Sequence, residues 1–274
     1  MDVIPVTDPS DARLESFRQL RDADLLRVQG LFVAEGRLVV ERVLADPRLT
    51  VEALLLNRPS LEALRPQLEQ SRIRSAAVFE CPTQAFESIT GFNIHRGCLA
   101  LVRRLPAVHW REAVESARLV LVLEGVTNAD NVGGVFRNAA AFGADAVLLS
   151  PTCCDPLYRK AIRTSMGHVL RVPFARVEPW PIALTELREA GFVIAALNPG
   201  GIALTLDDFA ARHRQQRVAL LVGTEGAGLT TSAVQLADLQ VRIPMAPGVD
   251  SLNLAVATGI ALSDLRPFDD SPGE

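Results

Sequence analysis

Residues 241–262 read Val-Arg-Ile-Pro-Met-Ala-Pro-Gly-Val-Asp-Ser-Leu-Asn-Leu-Ala-Val-Ala-Thr-Gly-Ile-Ala-Leu, and they constrain the fold more than any other stretch. A short apolar strand, predicted over Leu239–Ile243, runs into a Pro-Gly loop. The Asp-Ser-Leu-Asn step predicts a helix over Ser251–Leu265, because small polar side chains at a helix start satisfy free N–H groups or present donors to a ligand. The helix is apolar on nearly every face, so its N-terminal edge is the only polar surface it offers.

The composition limits the class of protein. The chain has 274 residues, 49% of them hydrophobic, which suits two domains with sizeable cores. No uncharged apolar run reaches the length of a membrane span, and the first residues lack the basic-then-apolar layout of a signal peptide. The four cysteines show no Cys-x-x-Cys spacing. We therefore expect reduced thiols, a cytoplasmic location and no metal site.

The charge pattern concentrates cations in one segment. The net charge of −4 argues mildly against a nucleic-acid partner, because phosphate binding needs a basic surface. Residues 158–171 depart from this average, since they read Tyr-Arg-Lys-Ala-Ile-Arg-Thr-Ser-Met-Gly-His-Val-Leu-Arg and contain no acid. The four cations of this segment are candidate RNA-binding residues: Arg159, Lys160, Arg163 and Arg171.

Strand and helix patterns alternate twice along the chain, which predicts an α/β protein of two domains. The first domain is predicted over residues 1–105, a connector over 106–117 and the second domain over 118–274. Strands of the first domain are predicted at 30–35, 51–56, 76–79 and 98–102, and helices at 11–26, 36–44, 60–69 and 83–89.

The second domain is predicted to hold a parallel sheet covered on both faces, because its strands are uninterrupted apolar runs that alternate with helices. Besides the strand and helix already described, strands are predicted at 119–123, 146–149, 192–197 and 218–222, and helices at 134–142, 180–190 and 230–236.

Two further loops of this domain follow predicted strands, where ligands gather in open α/β sheets. The first precedes the 134–142 helix, which carries Arg137 on an otherwise apolar or small surface. Arg137 could serve chemistry, or it could pair with an acid or extend to solvent. The second, Leu-Val-Gly-Thr-Glu-Gly-Ala-Gly-Leu-Thr-Thr at 221–231, is neither a dinucleotide fingerprint nor a P-loop. It could bind a ligand or only turn the chain into a helix capped by Thr230 or Thr231.

Together the three loops resemble the motifs of the SpoU (TrmH) family of RNA ribose 2′-O-methyltransferases. They occur in order across the second domain, as Asn-x-Gly-x-x-x-Arg, Gly-x-Glu-Gly-x-Gly and Ile-Pro-Met with a later Ser-Leu-Asn. The matching residues are Asn131, Gly133 and Arg137; Gly223, Glu225, Gly226 and Gly228; and Ile243, Pro244, Met245, Ser251, Leu252 and Asn253. One position departs from the family, because many members have Asp-Pro where this chain has Asn128-Ala129.

The resemblance implies a fold and a cofactor. It implies that the second domain contains a deep trefoil knot, a form of threading that is essentially absent from ordinary domains. The first domain more weakly resembles the substrate-binding domain with the ribosomal protein L30e fold that often precedes it. S-adenosyl-L-methionine is expected in the knot, held largely by backbone groups, so that glycine gives the loops room to approach it. By position this implicates Leu197, Gly223, Ile243, Met245 and Leu252.

The resemblance also assigns catalytic roles. A desolvated Arg137 would stabilise negative charge that develops on the ribose 2′-oxygen. Asn131 would orient the sugar or Arg137, and Glu225, Ser251 and Asn253 would complete the polar rim. Two domains and a localised basic segment indicate a structured RNA as substrate, because folded RNA is recognised by shape over a wide surface. The resemblance implies ribosomal RNA as the first choice and transfer RNA as the second.

A homodimer is expected through the second domain, whose first and last helices carry apolar residues that a partner could bury. These residues are Val135, Phe136, Phe142, Val256, Ile260 and Leu262. Two other functions stay open. A catalytically inactive RNA-binding relative would keep the basic segment but would not need Asn131, Arg137 and Glu225 together. A nucleotide-dependent oxidoreductase would suit the α/β pattern but should show a dinucleotide fingerprint, which is missing.

Overall fold

A computed structural model describes residues 2–18, 22–70, 76–91, 97–199 and 203–266. The chain forms two compact units: residues 1–106 with 156–170, and residues 107–155 with 171–274. The segment 156–170, which we assigned to the second domain, packs instead with the first unit. Its contacts are made with residues more than a hundred positions away, and local sequence patterns carry no signal for such contacts.

The first unit is built on a mixed five-stranded sheet with the order β1-β4-β3-β5-β2. β5 runs antiparallel to both β3 and β2, while β1 and β4 are parallel to their neighbours. Its elements are β1 (Val3–Pro5), α1 (Asp22–Asp24), β2 (Leu31–Glu35), α2 (Arg37–Ala45), β3 (Val51–Leu56), α3 (Arg58–Gln70), β4 (Ala77–Glu80), α4 (Ala85–Thr90) and β5 (Cys98–Arg103).

The four predicted strands of the first unit are confirmed within one or two residues, but its beginning differs from the prediction. β1 was not predicted, and the helix expected at 11–26 is broken. Ala12–Phe17 forms a 3₁₀ helix, and Leu25–Gln29 forms a π-helical turn that ends at Gly30 with φ 65°. The 3₁₀ helix ends where Arg18 adopts an extended conformation, with φ −84° and ψ 140°, and the left-handed Gly30 ends the π-helical turn.

The second unit contains a seven-stranded sheet, and every strand pair in it is parallel, which confirms the predicted sheet type. The strand order is β10-β12-β9-β11-β6-β7-β8. From residue 107 onward the elements are α5 (Trp110–Val114), β6 (Leu119–Glu124), α6 (Ala129–Phe142), β7 (Ala146–Leu149), α7 (Arg159–Thr164, in the first unit), β8 (Phe174–Arg176), α8 (Ala183–Glu189), β9 (Phe192–Leu197), β10 (Leu204–Thr205), α9 (Leu206–His213), β11 (Arg217–Gly223), α10 (Thr231–Leu236), β12 (Leu239–Arg242) and α11 (Leu254–Leu265).

α6 and α11 pack closely against each other. A Cβ on Gly134 would lie 2.6 Å from the Cβ of Ala255, so a glycine is required for the helices to approach. The Asn138 side-chain nitrogen also donates to the Ala255 carbonyl at 2.5 Å. Helix α6 begins five residues earlier than predicted, because the Asn128 side chain caps it by accepting from the backbone N–H of Asp130.

The expected apolar dimer surface is partly wrong, because half of it belongs to the core of the same chain. Three of its six residues are fully buried and Phe142 is half-buried; the buried ones are Val135, Phe136 and Leu262. On α11, Val256 and Ile260 are 52% and 38% exposed. The knot and the L30e-like fold stay predictions.

Candidate active site

A cavity of about 530 Å³ opens at the carboxyl ends of β9, β11 and β12. Its walls include all five residues that we expected to hold a cofactor: Leu197, Gly223, Ile243, Met245 and Leu252. Three of the expected catalytic residues line it as well: Glu225, Ser251 and Asn253. The position agrees with the rule that ligands bind beyond the carboxyl ends of parallel strands.

One wall of the cavity is the glycine-rich loop at 223–230, which folds back on itself. Thr224 and Gly228 form an isolated antiparallel bridge, and the Gly228 N–H donates to the Thr224 carbonyl at 2.9 Å. A Cβ on Gly223 would lie 2.2 Å from the carbonyl carbon of Gly228. We expected glycine here to make room for a cofactor, but the tight contact is with the loop's own backbone.

Asn253 connects the three sequence motifs. Its side-chain nitrogen donates to Glu225 Oε1 at 2.8 Å and to Asn131 Oδ1 at 3.1 Å. Its side-chain oxygen caps α11 by accepting from the backbone N–H groups of Ala255 and Val256. Ser251 lies in the loop ahead of this cap, so the helix predicted from Ser251 begins three residues later, at Leu254.

The structure does not place Arg137 with that cluster. Its side chain is exposed on α6 and is absent from the lining of the cavity, and within the described ranges it has no hydrogen bond or ion pair. The expectation that Arg137 is desolvated is wrong for this chain alone. An RNA or a second copy would have to cover the guanidinium before its charge could act in a dry environment.

Comparison with known proteins identifies the family to which this chain belongs. The model of the SpoU rRNA methylase family matches residues 118–263. The chain belongs to this family of RNA methyltransferases. It is 44% identical over 265 residues to an uncharacterized tRNA/rRNA methyltransferase of Mycobacterium bovis, and the match spans 95% of this chain and 91% of that protein.

Two solved structures resemble the SpoU chain over almost its whole length. An AdoMet-bound rRNA methyltransferase from Sinorhizobium meliloti has a TM-score of 0.78 at 27% identity, and the match covers 96% of this chain and 97% of the other. An RNA 2′-O ribose methyltransferase has a TM-score of 0.73 at 26% identity, and the match covers 96% and 98% of the two chains. The likeness therefore includes the N-terminal part that the family model leaves out.

Sequence reasoning missed Glu124, the last residue of β6. Its carboxylate is 5% exposed and accepts hydrogen bonds from the indole N–H of Trp180 and from both the backbone N–H and the hydroxyl of Thr230. A signal was present, because an acid that ends an otherwise apolar strand at a sheet's carboxyl edge needs a buried partner.

The basic segment of this SpoU protein has an internal role for two of its cations. Glu35 is buried on β2, and its carboxylate lies 3.4 Å from an Arg159 nitrogen and 3.6 Å from an Arg163 nitrogen. The Arg159 backbone N–H also donates to the Asp22 carboxylate, whose pKa is raised chiefly by burial. Lys160, Arg163 and Arg171 expose their side chains, and Arg171 lies in the second unit.

In the part of the chain that the structure describes, no helix is long and apolar enough to cross a membrane. Nor do three or more histidine, cysteine or acidic side chains come together there in a way that could hold a metal ion.

Proposed function

We propose that this protein transfers a methyl group from S-adenosyl-L-methionine to a ribose 2′-hydroxyl of a structured RNA. The observation that carries the proposal is the convergence of the three motifs on the Asn253 side chain, at the rim of the cavity. The similarity to an AdoMet-bound rRNA methyltransferase supports the cofactor, and the similarity to an RNA 2′-O ribose methyltransferase supports the 2′-oxygen as acceptor.

The cavity fits the proposed cofactor in size and lining. Its volume of about 530 Å³ lies within the range of small-molecule sites, roughly 300–1,000 Å³. The apolar side chains of Leu197, Ile243 and Leu252 would contact the flat base, and the backbone of the 223–229 loop would supply polar groups. When bound, S-adenosylmethionine would supply an electrophilic methyl group: its sulfur–methyl bond would break as the bond to the 2′-oxygen forms, S-adenosylhomocysteine would leave, and the hydroxyl proton would be released to solvent.

In this proposal the residues around the cavity position the ribose and stabilise the charge that develops on it. Asn253 holds Asn131 and Glu225 in fixed orientation, and Ser251 extends the polar rim toward the ribose. Arg137 enters the site when RNA covers it, and there it stabilises the negative charge that develops on the 2′-oxygen. Holding the oxygen in line with the methyl group supplies a further large part of the rate.

We expect cells that lack this protein to lose 2′-O-methylation at a single position or a few positions of a structured RNA. Ribosomal RNA is the first choice and transfer RNA the second, and both are mapped by sequencing that detects protection at the 2′-oxygen. The purified protein with labelled cofactor and that RNA should restore the mark. Cofactor binding without any transfer to cellular RNA would instead show an inactive RNA-binding relative.

We propose that the exposed cations of the basic segment each contact RNA. The side chains of Arg171, Lys160 and Arg163 are exposed and would contact phosphates, although Arg163 also lies beside the buried Glu35. Arg159 is 25% exposed and faces the buried Glu35, so its contribution would be to fix the position of α7 as well as to contact RNA.

We also propose a homodimer, now through the exposed face of α11. Val256 and Ile260 are one helical turn apart and project to the same side. Val256→Asp with Ile260→Asp is expected to convert a dimer to a monomer in sedimentation, because two charges would be buried at a symmetric interface. Val249→Asp, at a loop residue 47% exposed, is the matched control. A wild-type protein that sediments as a monomer at micromolar concentration would rule the dimer out.

A further inference from the structure

The carboxylate of Glu124 lies where the two ends of the glycine-rich loop at 223–230 come together. At one end of the loop, Gly223 is the residue that pairs with Glu124 across the β11–β6 ladder. At the other end, the backbone N–H of Thr230 donates to Glu124 Oε2 at 2.8 Å, and the Thr230 hydroxyl donates to Oε1 at 2.8 Å. Glu124 therefore lies beside one end of this loop and is hydrogen-bonded to the other.

The third donor to this carboxylate comes from outside the loop. The Trp180 indole N–H donates to Glu124 Oε1 at 2.7 Å. Glu124 is 5% exposed, so each of these hydrogen bonds forms where water cannot replace it, and a lost acceptor would leave a buried donor unsatisfied. The same loop carries Glu225, which receives the hydrogen bond from Asn253.

We infer that Glu124 is a positioning residue that sets cofactor affinity by holding the 223–230 loop closed, and that Trp180 reports the state of this loop. The inference rests on the proposed function only in that the cavity binds S-adenosylmethionine. Glu124 itself is absent from the lining of the cavity, so its effect passes through Thr230 and the loop backbone.

Glu124→Gln is the sharpest test of the carboxylate. A carboxamide has one acceptor oxygen and one donor nitrogen, so either orientation turns an N–H donor toward Thr230 or Trp180. We expect affinity for S-adenosylhomocysteine to fall about tenfold in calorimetry, which corresponds to about 1.4 kcal/mol. Thr230→Val should weaken binding in the same direction, and Thr230→Ser, which keeps the hydroxyl and the N–H, should bind like the wild type.

Kinetics separate positioning from a general loss of structure. In Glu124→Gln we expect the KM for S-adenosylmethionine to rise about tenfold while kcat at saturating cofactor stays within about twofold of the wild type, because the closed loop is restored by mass action. A purely structural role would lower the fraction of active enzyme, and so would lower kcat and leave KM unchanged.

Fluorescence supplies a readout that is independent of activity. The chain has two tryptophans, and the indole N–H of the other one, Trp110, is buried without a hydrogen-bond partner among the described residues. In Trp110→Phe, Trp180 is the only tryptophan left, and its emission should change saturably as S-adenosylhomocysteine is added. In Trp180→Phe, the emission of Trp110 should not change. The Glu124→Gln substitution in the Trp110→Phe protein should reduce the Trp180 signal.

The outcomes of these measurements are distinguishable. If the wild type does not bind S-adenosylhomocysteine, the proposed function itself fails. If the wild type binds and a folded Glu124→Gln variant binds with equal affinity, the proposed function stands and the inference about Glu124 is overturned. A Trp180 emission that ignores the ligand in the Trp110→Phe protein would overturn the part that concerns Trp180.

Discussion

Arg137→Ala is expected to lower the rate of methyl transfer on the cognate RNA by roughly two to three orders of magnitude while leaving cofactor binding unchanged. In the proposed mechanism the guanidinium acts on charge that appears at the 2′-oxygen only in the transition state, and loss of one such donor costs about 3–4 kcal/mol. Cofactor affinity should be spared, because Arg137 does not line the cavity. Single-turnover assays give the rate, and calorimetry gives the affinity.

Two further variants test whether the loss of activity is specific to the guanidinium of Arg137. Arg137→Lys should recover little activity, because an ammonium cannot reproduce the planar two-pronged contact of a guanidinium. Arg212→Ala removes another exposed arginine of the same unit, on α9, and should retain full activity. An active Arg137→Ala enzyme would show that this arginine is only a solvated surface residue.

Gly223→Ala is expected to weaken S-adenosylhomocysteine binding on the order of a hundredfold, or about 2.7 kcal/mol. The added Cβ would lie 2.2 Å from the Gly228 carbonyl carbon and 2.4 Å from the Leu229 nitrogen, so the loop has to open. Backbone atoms cannot move aside as the end of a flexible side chain can. The free-energy cost of the added methyl group therefore lies in the upper part of the range for overpacking.

Gly226→Ala is the matched control within the same loop. Its Cβ would meet no heavy atom within 4 Å, so this change costs only the left-handed backbone conformation at φ 84°, about 1–2 kcal/mol. We expect a smaller loss of affinity than in Gly223→Ala. Thermal unfolding curves should show that both variants are folded. Equal affinities of Gly223→Ala and the wild type would show that the folded loop does not shape the cofactor site.

Five of the seven strands of the second sheet were predicted, because they carry their signal locally, whereas the short strands β8 and β10 were not. Ala146–Leu149 and Phe192–Leu197 are uninterrupted apolar runs bounded by polar residues or glycine, and both have the predicted ends. Helix α9 was missed although its signal was present. Leu206, Phe209 and Ala210 are buried at helical spacing after the Thr205 cap. This pattern is sufficient to predict a helix from the sequence.

The candidate site was predictable as a set of residues but not as an arrangement. The motifs identified the residues that line the cavity, since glycine and small polar residues after strands are local features. Two facts depend on which distant groups meet: Asn253 donates to both Asn131 and Glu225, and Glu124 binds Thr230. For the same reason the exposure of Arg137 could not be predicted, because burial is set by neighbours that are distant in sequence.

The contacts of residues 156–170 affect the order in which the protein can fold during synthesis. The first unit is translated up to residue 106, but it is incomplete until residue 170 has been made. At about 5–20 residues per second the ribosome needs roughly 3–13 s for that interval. Until then the Glu35 carboxylate, which is 1% exposed in the folded chain, has neither Arg159 nor Arg163 beside it. The first unit therefore cannot complete its folding until a segment that follows the start of the second unit has been synthesised. The two units cannot fold independently of each other during synthesis.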